Sequence, residues 1–190
     1  MLEILFVSTI VVALGEIGDK TQLLALLLAV RFRKPWPIVA GILVATLLNH
    51  AIAAVFGIGI RAVLSPGALK WLLAVSFFAV AAWMLKRDKL EDNDVRPVSR
   101  LGVFGVTAVA FFLAEIGDKT QIATVVLAAR FDSLATVVIG TTLGMLIVNV
   151  PTAFVGHLAA DRIPFKAIRI AAAALFAALG AWVLIAGVPG

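Results

Sequence analysis

The chain has 190 residues, of which 63% are hydrophobic and 14% charged, with a mean hydropathy of +1.12. Soluble domains carry about 25% charged residues, so the composition reads as an integral membrane protein and excludes a soluble domain. The formal charge of +5 does not point to nucleic acid, because the basic residues lie between apolar runs and read as topology signals.

A helix needs about 20 mainly apolar residues to cross the hydrocarbon core. Six segments qualify: 4–30, 38–60, 69–85, 102–129, 134–158 and 167–188. Barrel strands would alternate in polarity, and these Leu/Ala/Val runs do not. The N-terminus lacks a basic stretch and carries Glu3, so segment one reads as a retained span and not a cleaved signal. Its apolar run is broken by Gly15-Glu16-Ile17-Gly18-Asp19-Lys20-Thr21-Gln22. If the helix continues, Glu16 and Asp19 share a face and Glu16 can pair with Lys20. Twenty-seven helical residues would be about 40 Å long, which fits a tilted or an interrupted helix.

Segment two contains Asn49 and His50, and segment three leads into the polar stretch Lys86–Arg100. Asp88, Glu91, Asp92 and Asp94 in that stretch lack the spacing and central Gly of an EF-hand, so they read as a solvated loop. Segment four repeats the motif as Glu115-Ile116-Gly117-Asp118-Lys119-Thr120-Gln121. Segment five carries Asn149 and ends near His157, which reads as interfacial. Asn49, His50 and Asn149 can line an ion path or bond between helices. Glycines 41, 57, 59, 140, 144 and 156 read as helix-packing positions.

A shift of 99 residues superposes the halves without a gap. Glu16 falls on Glu115, Arg31 on Arg130, Gly41 on Gly140, His50 on Asn149 and Trp83 on Trp182. Two three-helix units are expected: 1–85, and 102–190 in inverted orientation, joined by a cytoplasmic linker at 86–101. Three spans per unit is odd, so the second unit is upside down relative to the first. The predicted fold is therefore all-α, with six transmembrane helices as two inverted-topology three-helix repeats.

Eleven basic residues lie in the loops on one side: Arg31, Arg33, Lys34; Lys86, Arg87, Lys89, Arg96, Arg100; Arg162, Lys166, Arg169. The other side has only Arg61, Lys70 and Arg130. The positive-inside rule then places both termini on the non-cytoplasmic side of the cell (inner) membrane. Trp36, Trp71, Trp83 and Trp182 sit near predicted helix ends, as interfacial anchors do. About a dozen residues precede each motif, roughly 18 Å of helix, so both motifs reach mid-membrane from opposite faces.

Carboxylates at that depth face a protein interior or a wet cavity and mark function. Together Glu16, Asp19, Glu115 and Asp118 carry four negative charges against the two of Lys20 and Lys119. The remainder matches one divalent cation or two protons. Crowded carboxylates at low dielectric cannot all stay ionised without a cation, so metal and protons should compete. Competition of this kind is what an antiporter requires. Thr21, Thr120, Gln22 and Gln121 add hard oxygen donors, suiting Mg²⁺, Ca²⁺ or Mn²⁺ over Zn²⁺ or Cu⁺. With no Cys there is no thiolate site and no disulfide. The lysines read either as counter-charges for an empty site or as side chains reaching an interface.

Two copies of Glu-Ile-Gly-Asp-Lys-Thr in a six-span chain of this length resemble the Gdt family of cation/proton antiporters, part of the cation/calcium exchanger group. The resemblance covers essentially the whole chain. It implies Mn²⁺ or Ca²⁺ exchanged for H⁺ and no cofactor, with the cation site at Glu16, Asp19, Glu115 and Asp118. Bacterial members resemble manganese exporters, which implies metal leaving the cytoplasm. Competing readings are a passive cation channel, an organic-solute transporter and an intramembrane aspartyl protease. The protease pattern has Gly where this chain has Glu16 or Glu115, so no enzyme is expected. Oligomeric state is not legible.

Overall fold

Each charged motif cuts a helix that its apolar flanks would otherwise continue. The computed structural model describes residues 1–85, 102–155 and 165–187. Among them are eight helices: α1 (Leu2–Glu16), α2 (Lys20–Phe32), α3 (Pro35–Val63), α4 (Pro66–Met84), α5 (Gly102–Glu115), α6 (Lys119–Arg130), α7 (Leu134–Val155) and α8 (Phe165–Ala186). Segments 4–30 and 102–129 are therefore each two helices joined by a short non-helical break. Of the two readings of segment one, the structure has the interrupted helix. Glu16 and Asp19 do not share a continuous helical face. His157, Gly156 and the 86–101 linker lie outside the described residues.

The breaks have a local cause. Gly18 has φ 79° and Gly117 has φ 73°. A side chain in this left-handed region costs roughly 1–2 kcal/mol, so glycine fills it. The next residue in each copy, Asp19 or Asp118, is extended and stands at the N-cap of the following helix, where the Asp118 carboxylate accepts from Thr120 N–H.

By length and composition α3, α4 and Leu134–Phe154 of α7 can each cross a membrane, and α5 and Ile170–Ala186 of α8 are shorter apolar helices. At 29 residues α3 is about 44 Å long, which exceeds the hydrocarbon core and favours tilt. The outside is greasy: Leu48, Val55, Phe56, Val75 and Ile147 are all more than half exposed. The inside holds many polar groups: Ser8, Thr46, Asn49, His50, Thr124 and Asn149 are buried with the motif acids. A water-soluble domain distributes them the other way round. This is a membrane protein, with lipid as the solvent for its outer face.

α3 and α7 pack together at the centre; α1 lies on α7, α5 on α3, and α4 on α8. Exchanging α1 with α5 and α3 with α7 maps the first two contacts onto each other. Small residues set these crossings. A Cβ on Gly41 would sit 2.7 Å from Thr107 Cβ, and one on Gly140 would sit 2.8 Å from Ser8 Cβ. Those two glycines are 99 residues apart, and so are Ser8 and Thr107. Apolar packing completes two clusters, one around Phe77 and Phe176 and one around Leu24, Ile42 and Phe111.

Gly57 brings α3 against α6. A Cβ there would collide with the Val125 carbonyl oxygen and lie 2.9 Å from Ala128 Cβ. Gly57→Ala should destabilise by about 1–3 kcal/mol through overpacking. Gly59→Ala, with nothing within 4 Å, is the matched control. Thermal unfolding in detergent compares them, and equal melting temperatures would refute the close approach.

Candidate cation site

The two breaks are built alike. Asp19 N–H donates to Glu16 O at 3.0 Å, and Asp118 N–H to Glu115 O at 3.1 Å. Gly18 N–H donates to Gln22 Oε1 at 2.8 Å, and Gly117 N–H to Gln121 Oε1 at 2.7 Å. This is a variant of the capping box, in which a Gln at the third helical position reaches back over the helix start. The amide oxygens of Gln22 and Gln121, expected as secondary ligands, are thus engaged by the loop backbone. Their amide nitrogens reach outward: Gln22 Nε2 to Thr152 Oγ1 at 3.3 Å, and Gln121 Nε2 to Asn49 Oδ1 at 3.4 Å.

Each Thr serves its own Glu. Thr21 Oγ1 donates to Glu16 Oε1, and Thr120 Oγ1 donates to Glu115 Oε2 at 2.8 Å. The lysines cross over. Lys119 Nζ pairs with Asp19 in the other copy, and Lys20 Nζ lies 3.8 Å from Asp118. The Glu16–Lys20 pairing expected for a continuous helix is not made. With the helix broken at Gly18, Lys20 starts α2 and points to the opposite motif. Each lysine faces an acid of the opposite motif; Lys119 is 3% exposed and Lys20 24%.

One carboxylate oxygen each from Glu16, Asp19 and Glu115 lies within 4.8 Å of the other two. All three residues are fully buried. Asp118 lies outside that trio, 2% exposed, and accepts from Thr120 N–H at 3.3 Å. The N-termini of α2 and α6, each worth about half a positive charge, begin beside these acids. Glu16 Oε2 and Glu115 Oε1 are buried without a hydrogen-bond partner. Such acceptors are costly in a dry interior, and a cation bound between them would remove that cost. The donors are oxygen atoms, the chemistry of hard divalent ions.

Comparison with known proteins agrees with this chemistry. The family described as "Divalent cation/proton antiporter GDT1" matches residues 4–92 and again residues 103–190. The chain belongs to the GDT1 family. A protein of Vibrio cholerae serotype O1 named "Putative manganese exporter" is 52% identical over 177 residues, covering 93% of this chain and 88% of that one. A GDT1-like protein of Synechocystis is 27% identical, covering 93% and 94%. No solved structure matches. GDT1 is a family of transporters and not of enzymes.

The remaining predicted positions surround the GDT1 motifs unequally. Asn149 Nδ2 donates to Glu16 Oε1 at 3.0 Å, so it touches the site directly. Asn49 is tied to motif two through Gln121, and its Nδ2 donates to Phe112 O of α5 at 3.0 Å. His50 is buried with neither ring nitrogen hydrogen-bonded. The sequence reading missed Thr152 and Met145. Thr152 had a signal: it is a polar residue three positions beyond Asn149 in an apolar helix, hence on the same face. Met145 had none.

Proposed function

We propose that this chain exchanges a divalent cation, Mn²⁺ first and Ca²⁺ second, for protons and exports the metal from the cytoplasm. The observation that carries this reading is the convergence of Glu16, Asp19 and Glu115 from two separate motifs. Asp118 joins as the fourth acid, with Thr21 and Thr120 orienting the glutamates and Lys20 and Lys119 balancing charge. The name of the Vibrio relative supports manganese as cargo. The double family match and the like packing of α1 on α7 and α5 on α3 support two three-helix units, at 1–85 and 102–190. We take them as inverted repeats that make six spans, with α1–α2 and α5–α6 each crossing as one broken helix. Both termini then lie outside the cell membrane.

The mechanism follows from shared ligands. Protons and metal need the same carboxylates, so loading one expels the other. An inward proton gradient thereby drives metal out. Lys119 and Lys20 hold Asp19 and Asp118 when metal is absent, which limits the charge left exposed in an empty site.

Purified protein in liposomes tests this. Mn²⁺ uptake should require a pH gradient, and protons should move in the opposite direction. Lowering the pH on the metal-loading side should raise the apparent Km for Mn²⁺, because protonation removes ligands. A passive channel gives metal flux without proton counter-flow, and that outcome would overturn the exchange reading.

A further inference from the structure

The halves differ at buried positions beside the acids, His50 against Asn149 and, one turn earlier, Thr46 against Met145. Met145, on α7, falls on Thr46 of α3 at the shift of 99. Both are fully buried. The chain has three methionines and no cysteine, so methionines are its only sulfur donors. The sulfur of Met145 is not simply core filling. Asn149 Nδ2 lies 3.0 Å from Glu16 Oε1 and 3.1 Å from both the carbonyl oxygen and the Sδ of Met145. One amide nitrogen thus bridges a carboxylate of the candidate site and a thioether. The other amide atom, Asn149 Oδ1, is buried without a partner. Methionine is unbranched with three rotatable bonds, so its sulfur can swing while its backbone stays fixed.

We propose that Met145 is a specificity-determining residue: its thioether sits at the edge of the cation site and discriminates against Ca²⁺ and Mg²⁺. This rests on the cation-exchange reading above. Ca²⁺ and Mg²⁺ take oxygen ligands. A thioether in place of a hydroxyl or water costs them coordination energy, whereas d-block and softer ions tolerate it. Thr46, at the matching position of the other half, carries a hydroxyl and no sulfur.

Cd²⁺ and Ca²⁺ are nearly equal in radius and differ in softness, so their flux ratio reads ligand type and not cavity size. In proteoliposomes, Met145→Leu keeps the volume and should lower the Cd²⁺:Ca²⁺ and Mn²⁺:Ca²⁺ flux ratios by about tenfold, the scale of ligand-shell changes at metal sites. Met145→Thr, which equalises the halves, should raise Ca²⁺ flux. Unchanged ratios in both variants would overturn the proposal. A second readout does not need transport. The ¹¹³Cd resonance of the loaded, detergent-solubilised protein should move to the oxygen-only range in Met145→Leu, and an unmoved resonance would also overturn it. If the wild type shows no proton-coupled flux, the exchange reading fails, while the ¹¹³Cd comparison still decides whether sulfur is a ligand.

Discussion

Glu16→Gln should abolish pH-gradient-driven Mn²⁺ uptake while leaving the fold intact. Gln keeps the shape and can still accept from Thr21 and Asn149, the two donors that hold Glu16 Oε1. It cannot supply the charge. Altering groups that merely support a metal ligand costs about 10- to 100-fold in affinity or activity. If Glu16 is a ligand as proposed, loss of its charge from the buried trio should therefore exceed roughly 100-fold. Asp118→Asn should also stop transport, for a different reason: it removes the charge that faces Lys20 at 3.8 Å. Mn²⁺ flux in proteoliposomes measures both. Wild-type flux in either variant would remove that acid from the mechanism.

Lys119→Met should be the most destabilising substitution at the site, and Mn²⁺ should partly restore it. Lys119 and Asp19 are both fully or nearly fully buried and paired across the two motifs. Removing one partner of a buried ion pair costs about 3–5 kcal/mol, because a charge stays behind in low dielectric. A divalent ion on Asp19, Glu16 and Glu115 can take over as counter-charge, so the metal-induced rise in melting temperature should be larger than in the wild type. The double substitution Asp19→Asn with Lys119→Met removes both charges and should recover stability without recovering transport. Thermal unfolding with and without Mn²⁺ distinguishes these cases. Equal metal shifts in wild type and Lys119→Met would show that the lysine does not stand in for the cation.

How far the sequence was legible depended on whether a feature is local or relational. The membrane class and the two motifs were plain, because long apolar runs are built for lipid and charge inside them is too costly to be incidental. The interruption of segment one was narrowed to two options by the length of 4–30, and Gly18 in the left-handed region decided it. Pairing was not legible. From spacing, Lys20 belongs with Glu16. Once the helix breaks, Lys20 starts a new helix with a new direction, and its partner is Asp118 in a segment about a hundred residues away. Asn149 was visible as a polar residue in an apolar helix, but its contact with Glu16 depends on how α7 packs on α1. Met145 was invisible for the opposite reason. A methionine in a membrane helix looks like any other apolar residue until its sulfur is seen on a polar neighbour.

The loop closed by Gln22 on Gly18, and by Gln121 on Gly117, has a consequence for speed. Each non-helical break is closed by hydrogen bonds within its own heptapeptide, and contacts from the other motif and from α3 and α7 add to them, so its backbone shape is set without an ion. Ordering a loop at the moment of capture carries an entropic cost that weakens and slows binding. Here the backbone is preorganised. On the proposed exchange mechanism, ion arrival and departure would require only side-chain exchange between a lysine and a metal, a change far smaller than refolding a helix. Turnover in this protein should be governed by how the helices around these two rigid cassettes move, and not by the cassettes themselves.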